Sequence, residues 1–317
     1  MPRSFHDETV RSGQGWTPLG AGGDDLVAIS LGDFLRRDFP PPEMMLAPWL
    51  PAKGLAMVFA PRGVGKTHFA LGVAFAVATG GSFLRWQAPR PRRVLLIDGE
   101  MPASAIQARL AAIAASADRE PPSEDQIKLL AADLCPYGIP DISTIEGQRR
   151  LQPLIDDADL VVFDNYSTLA RSGNENEAES WSPMQHWLLG LRRAGKSSLG
   201  IHHAGKGGEQ RGTSRREDVM DTVIKLSRPD DYTESEGARF VVSFTKSRGF
   251  VGPEADPFVA ELDGGTWTTR ELDDDRIAEA GAHAATGMSQ RRIAETMGIG
   301  LGSVNRLLKR HRDGARG

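Results

Sequence analysis

LAMVFAPRGVGKTHFALGVAFAVATGG, residues 55–81, decides how the rest of the chain is read. Leu55 to Phe59 form an unbroken apolar run, the pattern of a buried strand. Ala60-Pro61-Arg62-Gly63-Val64-Gly65 is a tight loop, and Lys66 and Thr67 open an apolar helical run that stops at Gly80-Gly81. A strand, a glycine loop and a helix in that order give the GKT signature a physical meaning. Gly63 and Gly65 let backbone N–H groups turn inward around phosphate oxygens, and the helix N-terminus adds the positive end of its dipole. Lys66 is expected to reach the β- and γ-phosphates of ATP, and the Thr67 hydroxyl to hold Mg²⁺. The expected nucleotide-binding set is Ala60, Pro61, Arg62, Gly63, Val64, Gly65, Lys66, Thr67 and His68. Ala60 stands where such loops usually start with Gly, so it must keep φ negative.

Working outward, three more apolar runs end in polar residues. They are Arg93–Asp98 (RVLLID), Leu160–Asp164 (LVVFD) and Ser198–His202 (SLGIH). Continuous apolar runs suit central parallel strands covered on both faces. Helical stretches are expected at Leu31–Arg37, Ala103–Ala117, 145–157 and Trp181–Arg193, and another strand at Ile127–Leu134. Asp221–Leu226, Arg239–Thr245 and Phe258–Leu262 read as late strands, antiparallel at one edge, with Trp267 ending the core. The alternation implies an open α/β sheet with helices on both faces. Residues 1–28 are Gly-, Ser- and Asp-rich without periodicity and read as a mobile arm, and Asn174–Ser182 as an exposed acidic connector. The expected domains are the arm (1–28), an ATPase core (29–270), a linker or extra helix (271–286), a helix-turn-helix unit (287–312) and a tail (313–317).

The 317 residues are 40 % hydrophobic and 25 % charged, ordinary for a soluble globular protein. The single cysteine, Cys135, excludes an internal disulfide and a cysteine-rich zinc site. With a polar N-terminus and no apolar run of spanning length, the expectation is a cytoplasmic protein with no membrane contact. Net charge is −4, yet residues 287–317 carry +5, which points to an anionic polymer as partner.

In an open parallel sheet, ligands bind at the carboxyl ends of the strands. The phosphate loop, Glu100, Asp164 and His202-His203 all fall there. Asp164 is expected to hold Mg²⁺ alongside Thr67. Glu100, just past a strand end, can take a proton from the water that attacks the γ-phosphate; Asp98, two residues earlier, is the competitor. The His202-His203 pair reads as a metal pair, a γ-phosphate sensor or a packed strand end. Adjacent strand residues point to opposite faces, which disfavours one shared metal, and His203 is preferred as a polar relay. Lys246 and Arg248 share one side of a strand continuation, where they suit a phosphate clamp from the same or a neighbouring subunit, or simply a solvated strand end. The loop Gly205–Arg216 carries Lys206 and Arg211 among glycines, suited to single-stranded DNA or to no partner at all.

GMSQRRIAETMGIGLGSVNRLLKRHR, residues 287–312, has a helix capped by Ser289, a break at Gly298 and a second helix from Leu301 or Gly302 through Lys309. Ala294, Gly298 and Val304 occupy the small, turn and packing positions that a helix-turn-helix requires. Its second helix would present Ser303, Asn305, Arg306 and Lys309 to duplex DNA. An ordinary helical hairpin for protein contacts is the alternative.

GVGKT (63–67), DGEM (98–101), VVFDN (161–165), IHHAGKG (201–207), RGTS (211–214) and TKSR (245–248) together resemble the RepA-type AAA ATPases, RecA-fold motors of plasmids and mobile elements related to hexameric replicative helicases. The resemblance covers about residues 30–270. It implies a RecA-like P-loop core with a mostly parallel sheet and a ring of subunits with ATP at the interfaces. It implies Glu100 as catalytic carboxylate, His203 as sensor, and Lys246 and Arg248 reaching the neighbour's nucleotide. The small all-α tail is not part of the compact plasmid helicases, and it suggests site-directed loading or regulation. The expected function is an ATP-hydrolysing DNA motor, a replicative helicase; the alternative is a nucleotide-switched regulator or loader without unwinding. A P-loop small-molecule kinase is a third reading, against which stand the absence of an evident lid-like Arg-rich segment in the sequence and a C-terminal unit it would leave unexplained.

Overall fold

The computed structural model describes residues 28–172, 181–205, 216–229, 231–272 and 274–314. The expected N-terminal arm, save residue 28, and nearly all of the acidic connector lie outside the described residues, as do Lys206 and Arg211. The chain divides into two compact units between Glu43 and Met44, later than the boundary expected from composition. The first holds α1 (Leu31–Leu35), capped by Ser30, whose hydroxyl accepts from the Asp33 N–H at 3.1 Å. None of its residues is buried.

The second unit begins with two short strands, β1 (Met44–Leu46) and β2 (Leu50–Pro51), then β3 (Leu55–Ala60) and α2 (Lys66–Thr79). β4 (Ser82–Phe83) and β5 (Trp86–Gln87) make a small hairpin before β6 (Val94–Asp98) and α3 (Ala103–Ser116). β7 (Ile127–Ala131), α4 (Ile145–Asp156), β8 (Leu160–Asp164), α5 (Tyr166–Leu169), α6 (Ser182–Arg193) and β9 (Ser197–His203) follow. Then come β10 (Thr222–Ser227), β11 (Arg239–Ser247), β12 (Phe258–Asp263) and β13 (Thr266–Glu271). Three helices close the chain: α7 (Asp274–Ala285), α8 (Gln290–Thr296) and α9 (Leu301–Gly314).

The main sheet has nine strands in the order β13-β12-β11-β10-β3-β9-β8-β6-β7. β10, β3, β9, β8, β6 and β7 are mutually parallel, and β11, β12 and β13 are antiparallel additions on the β10 side. This corrects one expectation. The strand at 221–226 belongs to the parallel set, because it pairs with β3 with Thr222 opposite Ala56 and Lys225 opposite Phe59. Trp267 is the last residue packed against the main core; it lies inside β13, joined to β12 by Gly264-Gly265, both at positive φ (55° and 86°), the conformation a two-residue hairpin turn requires.

The apolar runs of the central strands bury both faces, as parallel strands must. Ala56, Val58, Leu96, Val162, Leu199 and Ile201 pack with α2 in one core. Leu55, Met57, Phe59, Leu95, Ile97, Val161 and Phe163 pack with α4, α5 and α6 in another. α2 shows why it was legible: from Phe69 to Thr79 every residue is buried, so it is a core helix with no polar face. The C-terminal helices have a separate small core of Ala280, Ile293, Val304, Leu307 and Leu308, with Ile277, Met288, Ala294, Met297 and Ile299 against it. Ser289 caps α8 by accepting from Arg292 N–H at 3.4 Å, and Gly298 takes φ 63° in the turn before α9.

Candidate nucleotide site

The parallel register brings four strand ends to one edge. Ala60 at the end of β3 pairs with His203 at the end of β9, and Asp98 of β6 pairs with Asp164 of β8. A cleft of about 520 Å³ opens there, and Arg62, Gly63, Gly65, Lys66, Thr67, His68, Glu100, Asp164 and His203 line it. Ala60 and Val64 are buried beneath the loop. Ala60 lies within β3, so the missing first glycine costs no backbone strain there. Gly63 and Gly65 carry the positive φ values of the loop, 77° and 118°.

The Lys66 ammonium, 7 % exposed, donates to the carbonyls of Ala60 at 3.0 Å and Pro61 at 2.8 Å. Burial lowers its pKa, and Asp164 and Glu100 work against that shift. Asp164 is 3 % exposed, and its pKa is pushed up to about 7 by burial first, then by the nearby Asp98 carboxylate. A hydrogen bond with Thr67 and the Lys66 charge oppose that rise. Its Oδ2 is buried without a hydrogen-bond partner. A buried carboxylate oxygen beside a hydroxyl and a phosphate loop fits Mg²⁺, which commonly takes one or two protein ligands plus substrate phosphates. Among the described residues, no group of three or more His, Cys, Asp or Glu side chains is arranged to hold a metal unaided.

The competition between Asp98 and Glu100 has a geometric outcome. The Asp98 Oδ1 accepts from the N–H groups of Glu100 at 2.9 Å and Met101 at 2.7 Å, so it caps the turn after β6 instead of facing the cleft. Glu100 faces it. The Asn165 side-chain amide donates to the Glu100 carboxylate, and His203 Nε2 lies 3.7 Å from the same oxygen. The imidazole pKa is lowered by burial and then by Lys66, and raised by Glu100. His202 turns to the other side, fully buried, with the Arg216 guanidinium 2.5 Å from its Nε2. The two histidines therefore do not share a site. The His68 pKa falls to about 4 through burial and the Arg109 charge.

Lys246 and Arg248 are not in this cleft, which corrects the clamp within one subunit. β11 runs antiparallel to β10, so Ser247 pairs with Thr222, which is level with Ala56 near the start of β3. That is the edge of the sheet opposite Lys66. The Lys246 ammonium goes to the carbonyls of Glu217 and Asp218, and Arg248 to Asp218 O at 3.4 Å with Asp221 3.8 Å away.

In the C-terminal helices Asn305, Arg306 and Lys309 are exposed on α9, and Ser303 is partly buried. Arg306 and Lys309, with Arg310, line a second cleft of about 560 Å³ whose other wall is Asp256, Pro257, Glu271 and Leu272.

Sequence reasoning missed part of the nucleotide cleft: Met101, Arg109, Asn165, Arg228, Tyr232, Gly237 and Ala238 also line it. Asn165 had a signal, its place directly after Asp164. Arg228 and Tyr232 had none, because both lie between β10 and β11, outside any strand.

The AAA domain family matches residues 26–209, more than half of the chain. The chain belongs to that family. Its AAA domain thus contains the phosphate loop, Glu100, Asp164 and His203, and ends before Arg228, β11 and the C-terminal helices. Among solved structures, the AAA-domain chain is similar to a KaiC-like protein from the hyperthermophilic archaeon Pyrococcus horikoshii OT3. The two are 14 % identical over 69 % of this chain and 90 % of that one, with a TM-score of 0.48. Among the described residues of this AAA-domain protein, no helix is long and apolar enough to cross a membrane.

Proposed function

We propose that the protein is an ATP-hydrolysing, RecA-like DNA motor, a RepA-type replicative helicase of a plasmid, phage or mobile element, working as a homo-oligomeric ring in the cytoplasm. The observation that carries this reading is the convergence of Lys66, Thr67, Asp164, Glu100 and His203 on one cleft at the carboxyl edge of the parallel strands. Lys66 and the loop N–H groups bind the triphosphate of ATP. Thr67 and Asp164 would hold Mg²⁺, which when bound would neutralise charge on the phosphate oxygens. Glu100 takes the proton of the attacking water, and Asn165 orients the carboxylate by donating to it. His203, whose pKa burial lowers and Glu100 raises, senses the terminal phosphate through Glu100. Lys246 and Arg248, outside their own subunit's cleft, serve a neighbouring subunit's nucleotide. Single-stranded DNA runs past the loop that carries Lys206 and Arg211. Duplex DNA meets α9 through Ser303, Asn305, Arg306 and Lys309.

Glu100→Gln tests the motor. ATP binding is expected to persist while hydrolysis falls about 100- to 10,000-fold, the usual weight of a general base. Unchanged turnover removes Glu100 from its role.

A second reading, a nucleotide-switched regulator or loader without unwinding, is favoured by the C-terminal helices with their own core and net basic charge. A protected footprint at one duplex site with no strand displacement selects it. DNA-stimulated hydrolysis with strand displacement selects the motor.

A further inference from the structure

The phosphate loop sits at the end of β3, and the two flanks of that strand differ in kind. On the β9-β8-β6 side lie the groups of the hydrolytic chemistry: His203, Asp164 and Glu100. The terminal phosphate must therefore point that way. On the β10-β11 side the cleft is walled by Arg228, Tyr232, Gly237 and Ala238, none of which has a part in that chemistry. With the terminal phosphate at one end of the cleft, the nucleoside leaves toward the other. At about 520 Å³ the space is in the range of sites that hold a whole nucleotide.

We propose that Tyr232, backed by Arg228, is the platform on which the base of the nucleotide stacks, and that the site holds a purine by its face instead of by its edge. This rests on the nucleotide-binding reading above. The Arg228 guanidinium lies 3.6 Å from the centroid of the Tyr232 ring, so one ring face is covered by a cation while the ring lines the cleft.

The platform is built, not incidental. The Tyr232 hydroxyl donates to Gly237 O at 3.1 Å. Arg228 donates to Gly237 O at 3.1 Å, to Arg239 O at 3.4 Å and to Gly63 O of the phosphate loop. Arg239, 5 % exposed, grips both sides of the segment between β10 and β11 through Asp231 at 2.6 Å and Glu236 at 2.7 Å. A ring fixed in this way loses little freedom when a base settles on it.

The same bonds bear on selectivity. They occupy the Tyr232 hydroxyl proton and three of the five Arg228 N–H donors, so the ring face is the larger part of what these side chains offer a base. Stacking tolerates any base, in proportion to its area.

The test is calorimetric binding of nonhydrolysable ATP, GTP and CTP analogues and of inorganic tripolyphosphate, all with Mg²⁺, to the full chain and to Tyr232→Ala, Tyr232→Phe and Arg109→Ala. In the parent, the ATP and GTP analogues are expected to bind within about threefold of each other, the CTP analogue more weakly and tripolyphosphate most weakly. Tyr232→Ala should weaken the ATP analogue about tenfold and leave tripolyphosphate unchanged, while Tyr232→Phe keeps most of the affinity. Equal loss of both ligands in Tyr232→Ala would mean a displaced loop and overturn the platform. So would loss of the base increment in Arg109→Ala alone, which would put the base beside α3. A strong preference between the ATP and GTP analogues would overturn recognition by the face. If the parent bound tripolyphosphate as tightly as the ATP analogue, the platform would fall while the phosphate site stood. If it bound neither, the nucleotide-binding reading would fall and take the platform with it.

Discussion

Gly200 and Tyr166 lock β9 to α5 just below the candidate site. A Cβ on Gly200 would lie 2.0 Å from the Tyr166 ring, and that ring is 2 % exposed between Phe163 and Trp181. The ring cannot swing away, so Gly200→Ala is expected to cost about 1–3 kcal/mol, the usual range for overpacking, read as a lower urea midpoint at unchanged slope. Asp141 gives a pH-dependent counterpart. Burial alone would raise its pKa, but hydrogen bonds from the Ser143 and Ser172 hydroxyls and the Ser143 and Arg171 N–H groups hold it down, from 3.8 to about 2. A depressed folded-state pKa stabilises the fold above the unfolded value, and that contribution disappears as pH falls through the folded one. Asp141→Asn should therefore melt below the parent at pH 7, and the gap should close as pH drops from about 4 to about 2. Glu100 and Asp164 were legible in the sequence because each sits where an apolar run ends, and a strand end is a place as well as a pattern. Tyr232 was not, because its position follows from ion pairs at Arg239 that no periodicity encodes.

At the scale of elements, the core strands were readable for a physical reason. β3, β6 and β8 are covered on both faces, so their residues are apolar apart from the closing Asp98 of β6 and Asp164 of β8. β13, with the pattern TWTTRE and one covered face, offers weaker contrast, although the Gly264-Gly265 pair before it marks a hairpin. Strand direction is not written in an apolar run, which is why β10 was grouped with the antiparallel edge and why the sequence left open whether Lys246 and Arg248 serve their own or a neighbouring subunit's nucleotide. The C-terminal helices were readable down to their packing, since Ile293, Val304, Leu307 and Leu308 fall where a small helical core needs them. Val304 is fully buried in that core and shares no neighbour with the two cores of the main sheet. Val304→Asp buries an unpaired charge there and should unfold α7–α9. The expected result is loss of duplex DNA binding by fluorescence anisotropy, with ATP turnover within about twofold of the parent.

At the scale of the whole molecule, the candidate site draws on residues from Arg62 to Ala238, and the clamp residues lie at the opposite edge of the same sheet. A single copy therefore carries a hydrolytic pocket on one edge and two cations on the other. The proposed ring would use both edges, each copy completing its neighbour's site. Light scattering with an ATP analogue and single-stranded DNA should report a closed oligomer. A Lys246→Ala, Arg248→Ala double variant should still assemble and bind ATP but hydrolyse it slowly, and mixing it with Glu100→Gln subunits should restore part of the activity. A monomer under all these conditions would shift the weight to the regulator.

The borders of the nine-stranded sheet bear on how copies can meet. β7 carries Lys128 outward, 3.2 Å from Asp157, and β13 carries Arg270 near Asp231 and Glu271 on Arg85. Charged side chains engaged along a border strand oppose the addition of a foreign strand. Runaway stacking of sheets is thereby discouraged at both ends, so that copies brought close together are kept from drifting toward fibrils.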